Sequence, residues 1–324
     1  MSEMRGTDEQ GAARGQRWIA DRIPGQTGRV AVVTGAAGGL GRAATRALAR
    51  RGAHVILAVR DPAKGRAAAA RITAEHPDAR LDVRRLDLSD LDSVRAFADG
   101  VRADHPRVDL LLNNAGVMAP PRTLGAQGHE IQFATNHLGH FALTGLLLDP
   151  LSRATEARVV TVSSLEHRKG RIDFADLDGA RRYDPMAAYR QSKLANALFG
   201  LELHRRLTAA AAPPRSVLAH PGYAATGLQT NGTVRLPRLI FGHLARPLAQ
   251  SAERGALPLL YAATEPGVRG GEFIGPDGRG GLRGAPTRVE PAPSATDAEA
   301  ARRLWEVSEE LTKVRFRLPA LREP

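Results

Sequence analysis

The chain contains no cysteine. That excludes disulfides, thiolate catalysis and thiolate-ligated zinc or iron–sulfur centres together, and it fits a reducing, cytoplasmic setting. Lysine is scarce: only Lys64, Lys169, Lys193 and Lys313 stand among 46 basic residues. No apolar run approaches the roughly 18 residues that a membrane helix needs, so no membrane span is expected. Residues 1–28 lack the continuous apolar core of a secretion signal. They read as a flexible, solvated tail in which only Trp18, Ile19 and Ile23 could dock. A net charge of +12 would suit a nucleic-acid or acidic-membrane partner. The arginines are instead dispersed, with acids among them, in a chain rich in Ala, Gly and Pro, which fits a GC-rich codon usage. No nucleic-acid partner is expected.

What is present is length and alternation. The 324 residues, 43% of them hydrophobic, can bury the core of one large α/β domain. Arg29 to Thr34 reads as a buried strand, and Thr34-Gly-Ala-Ala-Gly-Gly-Leu-Gly41 leads from it into a helix over 42–51. Strand, glycine turn and helix together cradle a pyrophosphate: glycine lets the backbone approach, and the helix start offers free N–H groups and a positive dipole end. The glycines at 35, 39 and 41 do not follow the G-x-G-x-x-G spacing.

The alternation continues with strands over 53–59, 81–86, 108–112, 158–162 and 216–219, and a last strand over 271–274. Helices are expected over 62–76, from Ser89 to 104, over 126–148 carrying Asn136, through Tyr189 to about 211, over 250–264 and over 294–312. This pattern predicts a Rossmann-type, doubly wound parallel sheet with helices on both faces. The division expected is a tail at 1–28, a dinucleotide-binding catalytic domain at 29–275 and an extension with one helix at 276–324. The polar stretch 165–185 reads as a lid or substrate wall, and Leu236, Leu239, Ile240, Phe241 and Leu244 form an apolar stripe.

Tyr189 and Lys193 are four residues apart, which on a helix puts them on one face one turn apart. An ammonium beside a phenol favours the phenolate, so the Tyr189 pKa is expected to fall toward neutrality. Such a pair can give or take a proton at a carbonyl or alcohol oxygen.

These motifs, in this order, resemble the short-chain dehydrogenase/reductase family over roughly residues 29–275. Thr34-Gly35-x-x-x-Gly39-x-Gly41 resembles its cofactor loop, and Asn113-Asn114-Ala115-Gly116 its sheet-stabilising turn. Asn136, Ser164, Tyr189 and Lys193 fall where its four catalytic residues stand, and Pro221-Gly222 with Thr226 resembles its nicotinamide-side loop. The runs NNAGVM, NHLGHF, YRQSKLAN and GPDG are similar to the branch of retinol dehydrogenases and their bacterial relatives.

The resemblance implies an oxidoreductase that moves a hydride between NADP(H) and an alcohol, aldehyde or ketone. Tyr189 would be the acid/base, and Lys193 would lower its pKa and hold the nicotinamide ribose. Ser164, the second of the pair with Ser163, would polarise the substrate oxygen. Asn136 would hold a water that links Lys193 to solvent. Cofactor contacts would come from Gly35, Ala37, Gly38, Gly39, Leu40, Gly41, Arg60, Asp87, Leu88, Asn114, Ala115, Gly116, Pro221, Gly222 and Thr226, as well as Tyr189 and Lys193. Arg60, just past the second strand, matches an NADP preference, and Arg42 could add a second positive group. NAD(H) remains the alternative should Asp61 turn inward. A catalytically idle NADP(H)-binding protein on the same scaffold is the rival reading.

The resemblance also implies a homodimer or homotetramer through the helices of Asn136 and Tyr189. Leu194, Leu198, Leu201 and Leu203 could serve that interface or the core, and the C-terminal helix could cover the surface. No metal site is expected: His137 and His140 are spaced i, i+3, but no carboxylate–His motif accompanies them. The Arg269-Gly-Gly and Arg279-Gly-Gly runs read as loops.

Overall fold

The run of β-branched residues after Arg29 forms β1 (Val30–Thr34), the first strand of an eight-stranded sheet. Residues 18–223 and 250–318 are described in the computed structural model; Thr226 and the stripe from Leu236 to Leu244 lie outside them. The remaining strands are β2 (His54–Val59), β3 (Arg80–Arg85), β4 (Leu110–Asn113), β5 (Arg158–Val162), β6 (Arg215–Ala219), β7 (Phe273–Pro276) and β8 (Pro286–Arg288). Their order is β3-β2-β1-β4-β5-β6-β7-β8. All neighbours are parallel except β7 and β8. The architecture is the doubly wound Rossmann type, and the order reverses between β1 and β4, where such sheets open a crevice at the strand ends.

Both faces of the sheet are buried, which is why its central strands read as unbroken apolar runs. Val33, Leu57 and Leu112 pack beneath α1 (Gly39–Arg50) and the helix Ala252–Thr264. Val32, Ile56 and Leu111 face the opposite layer, built by α3 (Leu91–Asp104), the helix Gly139–Leu146, the Tyr189 helix (Pro185–Ala209) and the C-terminal helix (Ala298–Thr312). Between β2 and β3, α2 (Pro62–Glu75) starts at Asp61, whose carboxylate accepts from the N–H groups of Ala63 and Lys64. Among the described residues no helix is long and apolar enough to cross a membrane.

Several elements differ from expectation. The helix predicted over 126–148 begins only at Ile131, because Glu130 caps it by accepting from the N–H groups of Gln132 and Phe133. The residues before it fold back on themselves through a bridge between Leu124 and Glu130. The helix then widens into a π turn over Ala134–Leu138, resumes as Gly139–Leu146 and gives way to a short separate helix, Leu148–Ser152.

Residues from Trp18 onward, expected in the tail, dock on the domain. Trp18 is buried edge-on to Tyr261 and donates to Glu265 at 2.9 Å, and Ile23 is wholly buried, while Ile19 stays exposed. The Arg279-Gly-Gly run lies in the loop that turns β7 into β8, a strand not anticipated. The last helix starts at Ala298, where Asp297 caps it. The leucines left open between core and interface are resolved: Leu194, Leu198 and Leu203 are buried in the chain's own core, and Leu201 is partly buried against it. They give no support to the homodimer or homotetramer.

Candidate active site

The site lies where β1, β4 and β5 end. β1 runs into Gly35, whose φ of +68° suits glycine. α1 begins after Gly38, which offers no side-chain cap, so the first N–H groups of the helix remain available. At the end of β4, Asn114 donates through Nδ2 to the Thr34 carbonyl at 2.8 Å, while its Oδ1 is buried without a partner. A glycine cradle, uncapped helix N–H groups and an orphaned buried acceptor together fit a phosphate-bearing dinucleotide. Of the other residues expected at the cofactor, Ala37 and Gly38 lie in the turn before α1, Gly39, Leu40 and Gly41 in its first turn, and Arg60 is exposed just past β2. Asp87 lies half-buried in the turn after β3, accepting from the backbone and hydroxyl of Ser89. Leu88 is buried, with its carbonyl against Gly139. Pro221 and Gly222 follow β6, Gly222 with a φ of +66° and packed against the Leu282 carbonyl.

Ser163 and Ser164 follow β5 and diverge. Ser163 is buried and donates to the Lys193 carbonyl at 2.7 Å, which spends its hydroxyl on the Tyr189 helix. Ser164 is only half-buried; its Oγ accepts from the Glu166 N–H at 3.2 Å and lies near enough to the Tyr189 phenol to oppose the rise in its pKa. The geometry therefore brings Ser164, not Ser163, to the phenol. The Tyr189 helix starts at Asp184, whose carboxylate accepts from Ala187, and it carries Tyr189, Ser192 and Lys193 into the interior. The Lys193 ammonium is buried, lies 5.8 Å from the Tyr189 ring centroid and donates to the Val162 carbonyl at 3.3 Å.

The electrostatics correct one expectation. Burial lowers the Lys193 pKa to about 8. The Tyr189 pKa is raised, not lowered: burial is the main cause and Glu166 adds to it, while the Ser164 hydroxyl opposes both. Desolvation of the phenolate outweighs the hydroxyl in this arrangement, so the phenol is a protonated acid at neutral pH.

Asn136 sits in the π turn and is fully buried. Its amide donates to the Val117 carbonyl at 3.0 Å and to Ser192 Oγ at 2.9 Å, and its Oδ1 accepts from the Val117 N–H at 2.8 Å. Gly116 is squeezed beside it: a Cβ there would stand 3.1 Å from Asn136 Oδ1 and 3.5 Å from Lys193 Nζ. Asn136, Ser164, Tyr189 and Lys193 are thus gathered around one point.

Residues 165–185, expected as a lid or substrate wall, are held at several places. Glu166 pairs with Arg190 at 2.7 Å, Gln191 bridges Asp173 and Leu177, and Asp178 accepts from the Glu130 N–H. A cleft of about 590 Å³ opens beside the first of these residues, lined by Leu165, Glu166, Arg168, Lys169, His220 and Leu282 among others.

Two residues outside the expected set belong to this region. Thr34 Oγ1 accepts from the N–H groups of Asn114 and Ala115, both at 2.9 Å, and meets the ring of His140 at 2.9 Å. The signals were a threonine just before Gly35 and a second histidine four residues after Asn136. His137 and His140 do not converge: His137 turns to Ser308 at 2.8 Å, away from Thr34. Elsewhere, His54, Asp82 and His105 approach one another, but they lie at the far end of β2, and Arg84 already holds Asp82 at 2.6 Å.

Comparison with known proteins identifies the family. The sequence matches the short chain dehydrogenase family over residues 29–232. The chain belongs to that family. This short-chain dehydrogenase is 41% identical to human retinol dehydrogenase 13 over 307 residues, covering 93% of its own length and 88% of the relative's. It is 42% identical to mouse polyprenol dehydrogenase over 292 residues, covering 87% and 83%. An uncharacterised protein from Mycobacterium paratuberculosis shares its fold with a TM-score of 0.78 and 47% identity, over 94% of this chain and all of that one. A short chain dehydrogenase from Escherichia coli, solved with NADPH, superposes with a TM-score of 0.58 at 26% identity, over 74% and 92%. The dehydrogenase belongs to the retinol dehydrogenase-like branch and is an oxidoreductase.

Proposed function

We propose that this dehydrogenase moves a hydride between NADP(H) and an alcohol or carbonyl substrate, with Tyr189 as acid/base, Lys193 tuning it and Ser164 polarising the substrate oxygen. The observation that carries this reading is the grouping of the Ser164 hydroxyl near the Tyr189 phenol with the buried Lys193 ammonium 5.8 Å from the Tyr189 ring. Two donors then converge on one position, where a substrate oxygen would be held from both sides. The nicotinamide, when bound, supplies or accepts the hydride. In the reducing direction Tyr189 gives its proton to the substrate oxygen while Ser164 stabilises the charge developing there. In the oxidising direction Tyr189 must first lose its proton, and the Lys193 ammonium nearby favours that loss. Ser163 holds the Lys193 backbone and so fixes the helix turn that carries both groups.

The NADP(H) preference rests on Arg60, exposed beside the expected ribose position, and on Asp61 being drawn to the start of α2 as its cap. A guanidinium matches a 2′-phosphate in charge and fork geometry, whereas one oxygen of the Asp61 carboxylate is already engaged at the start of α2.

Relatives are named for retinol and for polyprenol, both long apolar alcohols, so the substrate panel begins with apolar primary alcohols and their aldehydes. The test is NADPH oxidation with the aldehydes and NADP reduction with the alcohols, beside a fluorescence titration of NADPH. Turnover with at least one pair, and NADPH binding tighter than NADH, are expected. Tight NADPH binding with no turnover across aldehydes, ketones and alcohols would favour the catalytically idle reading.

A further inference from the structure

His140 is wholly buried one helical turn beyond Asn136, and both its ring nitrogens are engaged. Nδ1 lies 2.9 Å from the Asn136 backbone carbonyl, and Nε2 lies 2.9 Å from Thr34 Oγ1. A carbonyl can only accept, so Nδ1 carries a hydrogen. At the other end, the two lone pairs of Thr34 Oγ1 are taken by the N–H groups of Asn114 and Ala115. Only the hydroxyl hydrogen is left to meet Nε2, shared with the Leu112 carbonyl at 3.2 Å. Both ends therefore require the same state of the ring: neutral, protonated at Nδ1 and bare at Nε2. The result is a one-way chain of hydrogen bonds, from the turn after β4 through Thr34 and the imidazole to Asn136. Thr34 is the last residue before the glycine loop, and Asn136 is the residue whose amide grips Val117 and Ser192 around Lys193. The π turn over Ala134–Leu138 falls at this point, as such turns often do at functional sites.

We propose that His140 is a positioning residue that ties the cofactor loop to the catalytic centre, one ring nitrogen fixing the Asn136 carbonyl and the other fixing Thr34 at the root of the glycine loop. The proposal rests on the reading of Asn136 and Lys193 given above. A histidine that merely fills the core would have no reason to divide its two contacts between these two sites.

Two variants separate the contacts. In His140→Asn the amide nitrogen can take the Nδ1 position and keep Asn136, but nothing reaches Thr34. In His140→Gln the amide can take the Nε2 position and keep Thr34, but Asn136 is released. Both are measured for kcat on a substrate that the wild type turns over, for NADPH Kd and for thermal unfolding. The Gln variant is expected to lose kcat by about tenfold more than the Asn variant, the equivalent of one hydrogen bond. The Asn variant should lose NADPH affinity by about tenfold more than the Gln variant. Folded variants that lose kcat and affinity in the same proportion, or lose neither, would overturn the proposal. Imidazole nitrogen NMR of the wild type gives a readout that needs neither cofactor nor turnover. A ring protonated at Nδ1 alone at pH 7 is expected, and a ring protonated at Nε2 would overturn the proposal even if the variants fail to fold. A wild type with this tautomer that binds no NADPH would sink the proposed function while leaving the coupling between Thr34 and Asn136 in place.

Discussion

A methyl group on Gly41 would stand 2.3 Å from the carbonyl oxygen of Gly35. The Gly35 carbonyl is backbone in the turn after β1 and Gly41 is in the first turn of α1, so neither can swing aside, and Gly41→Ala must push the glycine loop open. We expect a loss of about 1–3 kcal/mol in stability from overpacking, together with a larger proportional loss of NADPH affinity. Urea unfolding and an NADPH titration check this, and a variant that binds NADPH as the wild type does would show that the loop is not the phosphate cradle.

Arg60 is the residue on which cofactor choice turns. Arg60→Ala should lose about 1.5–3 kcal/mol of NADP(H) preference, the value of one charge-assisted contact, with NAD(H) kinetics little changed. The measurement is kcat/KM for both cofactors with one substrate. An unchanged ratio would move the 2′-phosphate contact elsewhere, with Arg42 the next residue to test.

Buried histidines set the acid limit of the fold, three of them most strongly. Burial lowers the pKa of His137 and of His220 to about 3, and that of His140 to about 4. The unfolded chain takes up protons near pH 6.5 that the folded chain refuses, so their contribution is complete above that pH and falls as the pH drops toward the folded values. Each costs about 1.4 kcal/mol per pH unit in that window. Urea midpoints should therefore fall steadily from pH 6.5 to pH 5, above the range where the paired carboxylates of Asp178 and Glu202 titrate. A flat stability curve across that interval would contradict the burial of these rings.

The C-terminal helix is held by aromatic packing. Trp305 lies 4.5 Å from Phe316 and 5.1 Å from Phe141, centroid to centroid, and is almost fully buried. Trp305→Ala should cost about 3–5 kcal/mol, read by thermal or urea unfolding. A cost below about 1 kcal/mol would mean that the helix is loosely attached.

Much of this was legible in the sequence, because a parallel sheet buried on both faces leaves unbroken apolar strands, and the glycine turn and the Tyr189–Lys193 spacing survive as local patterns. What escaped depended on contacts distant in sequence. Strand β8 is three residues long and is defined only by its pairing with β7. The π turn at Asn136 looks like plain helix in sequence, since Glu130, which caps the helix, carries no helix-breaking signal of its own. His140 reads as half of an i, i+3 histidine pair until Thr34, 106 residues earlier, is placed against its ring. The direction of the Tyr189 pKa could not come from the spacing of Tyr and Lys, because the depth of burial decides it.

The central claim is that Tyr189 carries the proton, and the direct test is Tyr189→Phe. NADPH Kd is measured beside kcat on any substrate that the wild type turns over. The ring stays and the hydroxyl goes, so NADPH binding should remain within about threefold while kcat falls by roughly 10²–10⁴-fold, the usual contribution of a positioned acid. A variant that keeps more than about a tenth of the wild-type kcat would contradict the account.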